Sequence, residues 1–320
     1  MSAMFGISWD VLRDPNTQWI LVGCLLLGLM SGIVGSFAYL RKQSLVGDTL
    51  AHAALPGICI AFMLTGVKSL PLFFLGAFLS GMLATAGISV VTRYTRIKAD
   101  AAMGIMLSVF FGVGIVLLTQ IQHSSYGNQS GLDKFLFGQA ASMMQSDVYT
   151  MAGVSLLIIV ACSLLFKEFK LLSFDPGFAR GLGFPVGVLE QLLMLFTVIA
   201  VVVGIQAVGV VLVAALLITP AVSARYWTDR LGLMVLLSGL FGAVSGIIGT
   251  LVSTTTSNLP TGPLSVLAAT FVFCCSVVFA PRRGVLAKWI RRIRNHQSIR
   301  VEERIRLEET EPRLRKEASL

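Results

Sequence analysis

Nine stretches of this sequence are too long and too apolar to finish inside a water-soluble core, and they limit the chain more than any motif does. They lie near residues 18–40, 45–66, 70–92, 100–120, 147–166, 186–204, 208–224, 231–253 and 263–280. A helix needs about 20 mostly apolar residues to cross the hydrocarbon of a bilayer. Inside lipid only helices and closed barrels satisfy every backbone N–H and C=O. The expectation is an all-α, polytopic membrane protein with eight to nine transmembrane helices. The lower number applies if the sixth and seventh stretches, separated only by "GIQAVG", count as one span.

The basic residues test that reading. Arg41 and Lys42 follow the first stretch; Arg93, Arg96 and Lys98 follow the third; Lys167, Lys170 and Arg180 follow the fifth; Arg225 and Arg230 follow the seventh. The opposite connections hold only Arg13, Lys68 and Lys134. Cytoplasmic loops carry the Lys/Arg excess, so the alternation places the N-terminus outside the plasma membrane and the C-terminus in the cytoplasm. Only 13% of residues are charged, against about 25% in a soluble domain. Of the 25 Lys and Arg, 12 lie in 281–320. Three regions follow: an extracytoplasmic segment over 1–17, a transmembrane domain over 18–280, and a charged cytoplasmic tail over 281–320, with Trp289 at the interface. The net charge of +9 sits mostly in that tail, where it sets topology and meets anionic lipid; nucleic acid is not an expected partner. The polar start, with Asp10, Arg13 and Asp14 ahead of Trp19, does not read as a cleavable leader.

Glycines recur at close spacing, with Gly28 and Gly32 as one pair and Gly239, Gly242, Gly246 and Gly249 as a continuous small face. Such faces let helix backbones approach in lipid. Cys24, Cys59, Cys162, Cys274 and Cys275 all lie in apolar runs without CxxC or CxxH spacing, and read as small buried hydrophobes.

Against this background "GDTLAHAALPG" at 47–57 stands out. On a helix, Asp48 and His52 share one face with Cβ atoms about 5–6 Å apart. A carboxylate oxygen and an imidazole nitrogen together suit Mn²⁺, Zn²⁺ or Fe²⁺, and the lack of thiolate argues against Cu(I). Ser44, one turn earlier, could add an oxygen. Two ligands make a weak site, which suits a transported ion that must leave again. The alternative is that Asp48 caps a helix and His52 is a hydrogen-bonded core residue. Pro56 and Gly57 mark a place where the helix could bend or break. Only a neutral imidazole ligates, so transport through such a site should fall as acid protonates it.

The second informative stretch is "SFDPGFARGLGFP" at 173–185. Asp175 reads as an N-cap, Pro176 as the first helical residue, and Gly181 or Gly183 as the stop. The spacing predicts a helix of one or two turns on the basic side, a shape a soluble partner can grip. Absences narrow the function. No G-x-x-x-x-G-K-[ST] run is present, "GLMSG" and "GAVSG" lack the spacing of a serine intramembrane protease, and Asp100 and Glu190 fall at span ends, away from any aspartyl pair. A stand-alone secondary transporter or channel remains the main rival reading, although no inverted repeat is evident.

At "VGDTLAHAALPGI" the sequence resembles the membrane permease subunits of bacterial ABC importers for manganese, zinc and iron, the ABC-3 family of metal permeases. "DKFLFGQAASM" at 133–143, "FDPGFARGLG" at 174–183, "VGVVLVAALLITPAVSAR" at 208–225 and "STTTSNLPTGP" at 253–263 agree in order. The resemblance implies the ABC importer permease fold and an ATP-driven import function in which this chain is no enzyme. It implies a separate cytoplasmic ABC ATPase, an extracytoplasmic metal-binding lipoprotein, and a second permease copy or paralogue. It further implies that Asp48 and His52 are metal ligands in the translocation path. Phe174, Asp175, Pro176, Phe178, Ala179, Arg180 and Gly181 would form the coupling helix gripped by the ATPase. No permanent cofactor is expected; the ion is cargo, with manganese first, zinc second and iron third.

Overall fold

Apolar runs of this length admit helix, and a computed structural model, which describes residues 15–66, 70–123, 145–255, 259–289 and 292, folds them that way. The elements are α1 (Pro15–Leu40), α2 (Val46–Thr65), α3 (Leu70–Tyr94), α4 (Ala99–His123), α5 (Gln145–Leu164), α6 (Phe166–Phe174), α7 (Pro176–Gly181), α8 (Val186–Val208), α9 (Val210–Trp227), α10 (Leu231–Thr255) and α11 (Thr261–Phe279). Among the described residues, eight helices are long and apolar enough to cross a membrane, and a ninth apolar helix within α9, Leu212–Trp227, is shorter. The expected eight to nine spans are therefore present. Residues 1–14, the motif at 133–143, Lys68, and the tail beyond 289, apart from 292, lie outside the described residues. The first helix begins at Pro15, three residues before the expected edge of the membrane domain.

The doubtful boundary between α8 and α9 falls on a single residue. Helix α8 runs on through "GIQAV" and stops at Gly209, whose φ of 92° and ψ of 164° only glycine enters readily. The chain reverses there. Glu190, near the start of α8, meets Arg41 at the end of α1. Helix α9 returns to that same end, because α10, which follows it, runs antiparallel to α1. This end carries Arg41, Lys42, Arg225 and Arg230 and is called the basic end below.

In lipid the apolar side chains gain nothing by leaving the tails, so close packing has to hold helices together. The glycine faces do this against each other. A Cβ on Gly28 would land on the Gly242 carbonyl, one on Gly32 on the Ser238 carbonyl, and one on Gly246 on the Cys24 carbonyl. Ser238 Oγ donates to Gly32 O at 2.6 Å across the same seam. A second seam joins α2 to α3 at Gly57 and Gly76, where Ser80 Oγ donates to Ala53 O at 2.5 Å.

Two apolar cores result. One gathers α1, α5, α6 and α8 around Phe37, Phe169 and Phe196, with ring centroids 5.5 Å and 6.0 Å apart along that series. The other gathers α2, α3 and α4 around Leu50, Cys59 and Phe73, and α8 and α9 contribute to both. Cys24, Cys59 and Cys162 are buried as expected; Cys274 is exposed and Cys275 half-buried, because α11 turns that side away from the bundle.

Candidate functional site

Helix α2 begins without a side-chain cap. Leu45 is the N-cap residue and makes no capping hydrogen bond, so Asp48 is not the cap; it lies in the first turn. A carboxylate there is favoured by the helix dipole. His52 follows one turn later, and its Nε2 stands 3.5 Å from Asp48 Oδ1. That is longer than the 2.9–3.0 Å typical of an N–H···O bond. The Asp48 side chain is 41% exposed and that of His52 20%. Among the described residues the buried His52 Nδ1 has no hydrogen-bond partner. The ring rests edge-on against Phe111 of α4, with centroids 4.8 Å apart. The hydrogen-bonded core histidine of the alternative reading is thus absent.

A cation fits the gap between these two atoms. Donors about 2.1 Å from one ion stand about 3.0 Å apart at a right angle and about 3.4 Å apart at the tetrahedral angle. Among the described residues no group of three His, Cys, Asp or Glu comes together. Within those residues the chain offers a two-donor site, open on the exposed side of Asp48. Ser44 does not extend the stripe: it is exposed in the turn before α2, where helical spacing no longer applies.

Pro56 does not break α2, which runs unbroken from Val46 to Thr65. Proline has no N–H, so the rung to the His52 carbonyl is missing directly above the pair. Beyond Pro56 lies an apolar cavity of about 420 Å³ between α2, α3 and α4, lined by Pro56, Ile60, Leu79 and Val113 among others and by no charged group. It adds no ligand. Counting 1.5 Å per residue, Asp48 and His52 sit about 3 and 9 Å from the start of a helix about 30 Å long. The pair therefore occupies the third of α2 nearest the basic end.

The second site residues form the short helix that was expected. Asp175 caps α7, its Oδ1 accepting from Phe178 N at 2.9 Å, with Pro176 at the first position. Leu182 closes the helix and Gly183 turns the chain at φ 85°. Phe174, Phe178 and Leu182 are each more than half exposed, a cluster of large apolar side chains on a protrusion at the basic end, and Arg180 and Gly181 are exposed beside them. Ala179 differs: it is buried in the first core and anchors the helix from beneath. Helix α6, which the sequence reading left as part of the connection after the fifth span, leads into α7 and packs Phe169 against Phe37.

Two features were missed. Phe111 had no local signal. Glu190 was read as a span-end acid, yet its Oε1 lies 2.6 Å from Arg41 Nη2, across 149 residues of sequence. Near the far side of the basic end, Asp229 meets Arg283 at 2.6 Å, Arg282 at 3.2 Å and Arg225 at 3.5 Å. The hydrogen bond from Arg282, helped by Arg283 and Arg225, holds the Asp229 carboxyl below the usual carboxylate range.

Comparison with known proteins adds the last observations. The sequence profile described as "ABC 3 transport family" matches residues 13–280. The manganese transport system membrane protein MntC of Bacillus subtilis (strain 168) is 56% identical over 291 residues, covering 91% of this chain and 67% of that protein. The zinc transport system membrane protein TroC of Treponema pallidum (strain Nichols) is 47% identical, covering 88% of this chain and 95% of that one. A chain of the solved structure of PsaBC from Streptococcus pneumoniae in complex with Fab superposes with a TM-score of 0.75 at 34% identity, covering 88% of this chain and 98% of that chain.

Proposed function

This chain belongs to the ABC 3 transport family, and we propose that it is the membrane permease of an ATP-driven importer carrying divalent transition metal ions, manganese foremost, into the bacterial cell. The observation that carries the proposal is the pairing of Asp48 Oδ1 and His52 Nε2 at 3.5 Å, in a helix that is otherwise apolar and mostly buried. Ionisable residues kept inside membrane spans are by default functional. Manganese is preferred to zinc because the most similar of the two relatives named above is a manganese permease and because an oxygen–nitrogen pair without thiolate has no zinc-specific element. Iron ranks third.

In this reading the N-terminus is outside and the basic end faces the cytoplasm. An extracytoplasmic metal-binding protein hands over the ion, and a second permease copy or a paralogue flanks the path. Asp48 and His52 are then the donors met last, close to the cytoplasm. A separate cytoplasmic ATPase grips α7 and its flanks, where exposed Phe174, Phe178 and Leu182 suit an apolar cleft. ATP binding and hydrolysis there displace α7 and change which side of the bundle is open. A protruding apolar helix favours this over a stand-alone transporter, which needs no such grip.

The test is uptake of radioactive manganese and zinc in a strain lacking its own transporters. Asp48→Ala and His52→Ala are each expected to lower manganese uptake ten-fold or more, with the protein still present in the membrane. Uptake that survives both changes together would remove the site.

A further inference from the structure

One ion pair joins the turn just before the helix bearing Asp48 and His52 to α8, the helix that follows the exposed α7, and membrane topology alone does not account for it. Arg41 stands in the turn between α1 and α2, and its Nη2 reaches Glu190 Oε1 in α8 at 2.6 Å. The Arg41 side chain is only 14% exposed, and its buried Nη1 meets no acceptor among the described residues. The Glu190 side chain is 39% exposed, so only the Arg41 side of the pair is drawn out of water. The guanidinium carries that cost with one donor unused among the described residues.

The backbone on both sides is stiff. In the turn, Lys42 has a φ of 58°, a left-handed conformation that costs a residue with a Cβ. It is held by Lys42 N to Tyr39 O and Gln43 N to Ala38 O, both at 3.0 Å, and Val46 N at the start of α2 donates to Gln43 O at 3.3 Å. On the other side, Phe184 N donates to Ala179 O of α7 at 3.1 Å, Val186 N to Phe184 O at 2.8 Å, and Leu189 N to Pro185 O at 3.1 Å. The path from α7 to the first turn of α2 is thus hydrogen-bonded or ion-paired at each step. The two bonds at Lys42 and Gln43 are the pattern that closes many helices on a left-handed residue, and they fix the corner to the end of α1.

We propose that Arg41 and Glu190 are positioning residues that carry displacement of α7 and α8 to the first turn of α2, and so to Asp48 and His52. This rests on the transport reading above. Neither residue touches the ion. The pair acts as a tie rod: when α8 shifts, the guanidinium pulls the α1–α2 corner with it, and the geometry of the two donors changes.

The test uses the whole transporter in cells, with manganese uptake measured per molecule in the membrane. Arg41→Gln and Glu190→Gln are each expected to cut the maximal rate at least ten-fold with KM within two-fold of the parent. Manganese binding by the purified permease should be unchanged. The exchange Arg41→Glu with Glu190→Arg should recover at least a third of the parent rate. A single variant transporting within two-fold of the parent, or an exchange variant that reaches the membrane and recovers nothing, overturns the link. The Asp48→Ala/His52→Ala variant separates the two readings. If it transports like the parent, the metal site fails and the link fails with it; if it is inactive while Glu190→Gln is normal, only the link fails.

Discussion

A buried nitrogen without a hydrogen-bond partner costs about 1–3 kcal/mol, and His52 keeps one at Nδ1. Its other nitrogen faces Asp48 at a distance too long for a good hydrogen bond. Nothing in packing requires an imidazole there, since the neighbour is the ring of Phe111. The residue is retained at some expense to stability, as the proposed ligand role requires. A direct consequence is that stability and transport should separate. His52→Leu removes the orphaned nitrogen and keeps an apolar contact with Phe111. It is expected to leave the thermal midpoint of the purified protein unchanged or higher while manganese uptake falls ten-fold or more. A midpoint that drops by several degrees would mean that the ring is structural.

At the scale of elements, the connections between helices carry most of the polar chemistry. The α9–α10 corner is tied to the chain after α11 by Asp229, which meets Arg225, Arg282 and Arg283. Its carboxyl is held below the ordinary range in the folded protein. The sign follows from linkage: the contribution of this tie is complete above the ordinary carboxylate range and is lost as pH falls through the lowered folded value. Amide exchange over residues 282–285, corrected for the intrinsic rate, should therefore stay flat from pH 8 to pH 5. Asp229→Asn should raise it about two- to five-fold throughout, since exposed ion pairs stabilise only modestly. Exchange that rises between pH 8 and pH 5 in the parent would contradict the clamp. Helix α7 illustrates the same scale differently: its cap, first proline and stop are all local, and its apolar face is exposed because Ala179 alone holds it down.

For the whole molecule, the bundle is organised by antiparallel seams of small residues, and its basic residues collect where α1, α3, α5, α9 and α11 end. With the basic end in the cytoplasm, a cysteine at Gln43 should react with an impermeant maleimide only after cells are opened, and one at Thr65 in intact spheroplasts. The background must first lose the five native cysteines, of which Cys274 is exposed. The reverse pattern would invert the orientation and the direction of import.

The eight to nine spans, their approximate ends, the α7 cap and the spacing of Asp48 and His52 were legible from residues alone, because hydropathy, capping and helical periodicity act over a few turns of one chain; helix α6 was not. The glycine seams were half legible: the small faces could be read, but not that Gly28 meets Gly242. What only the tertiary structure decided was the contact of Arg41 with Glu190, the placing of Phe111 on His52, and the removal of Ser44 from the stripe. Those depend on how antiparallel helices slide against one another in a solvent that rewards no particular apolar pairing. Register of that kind is set by close packing across the whole bundle, and no local pattern encodes it.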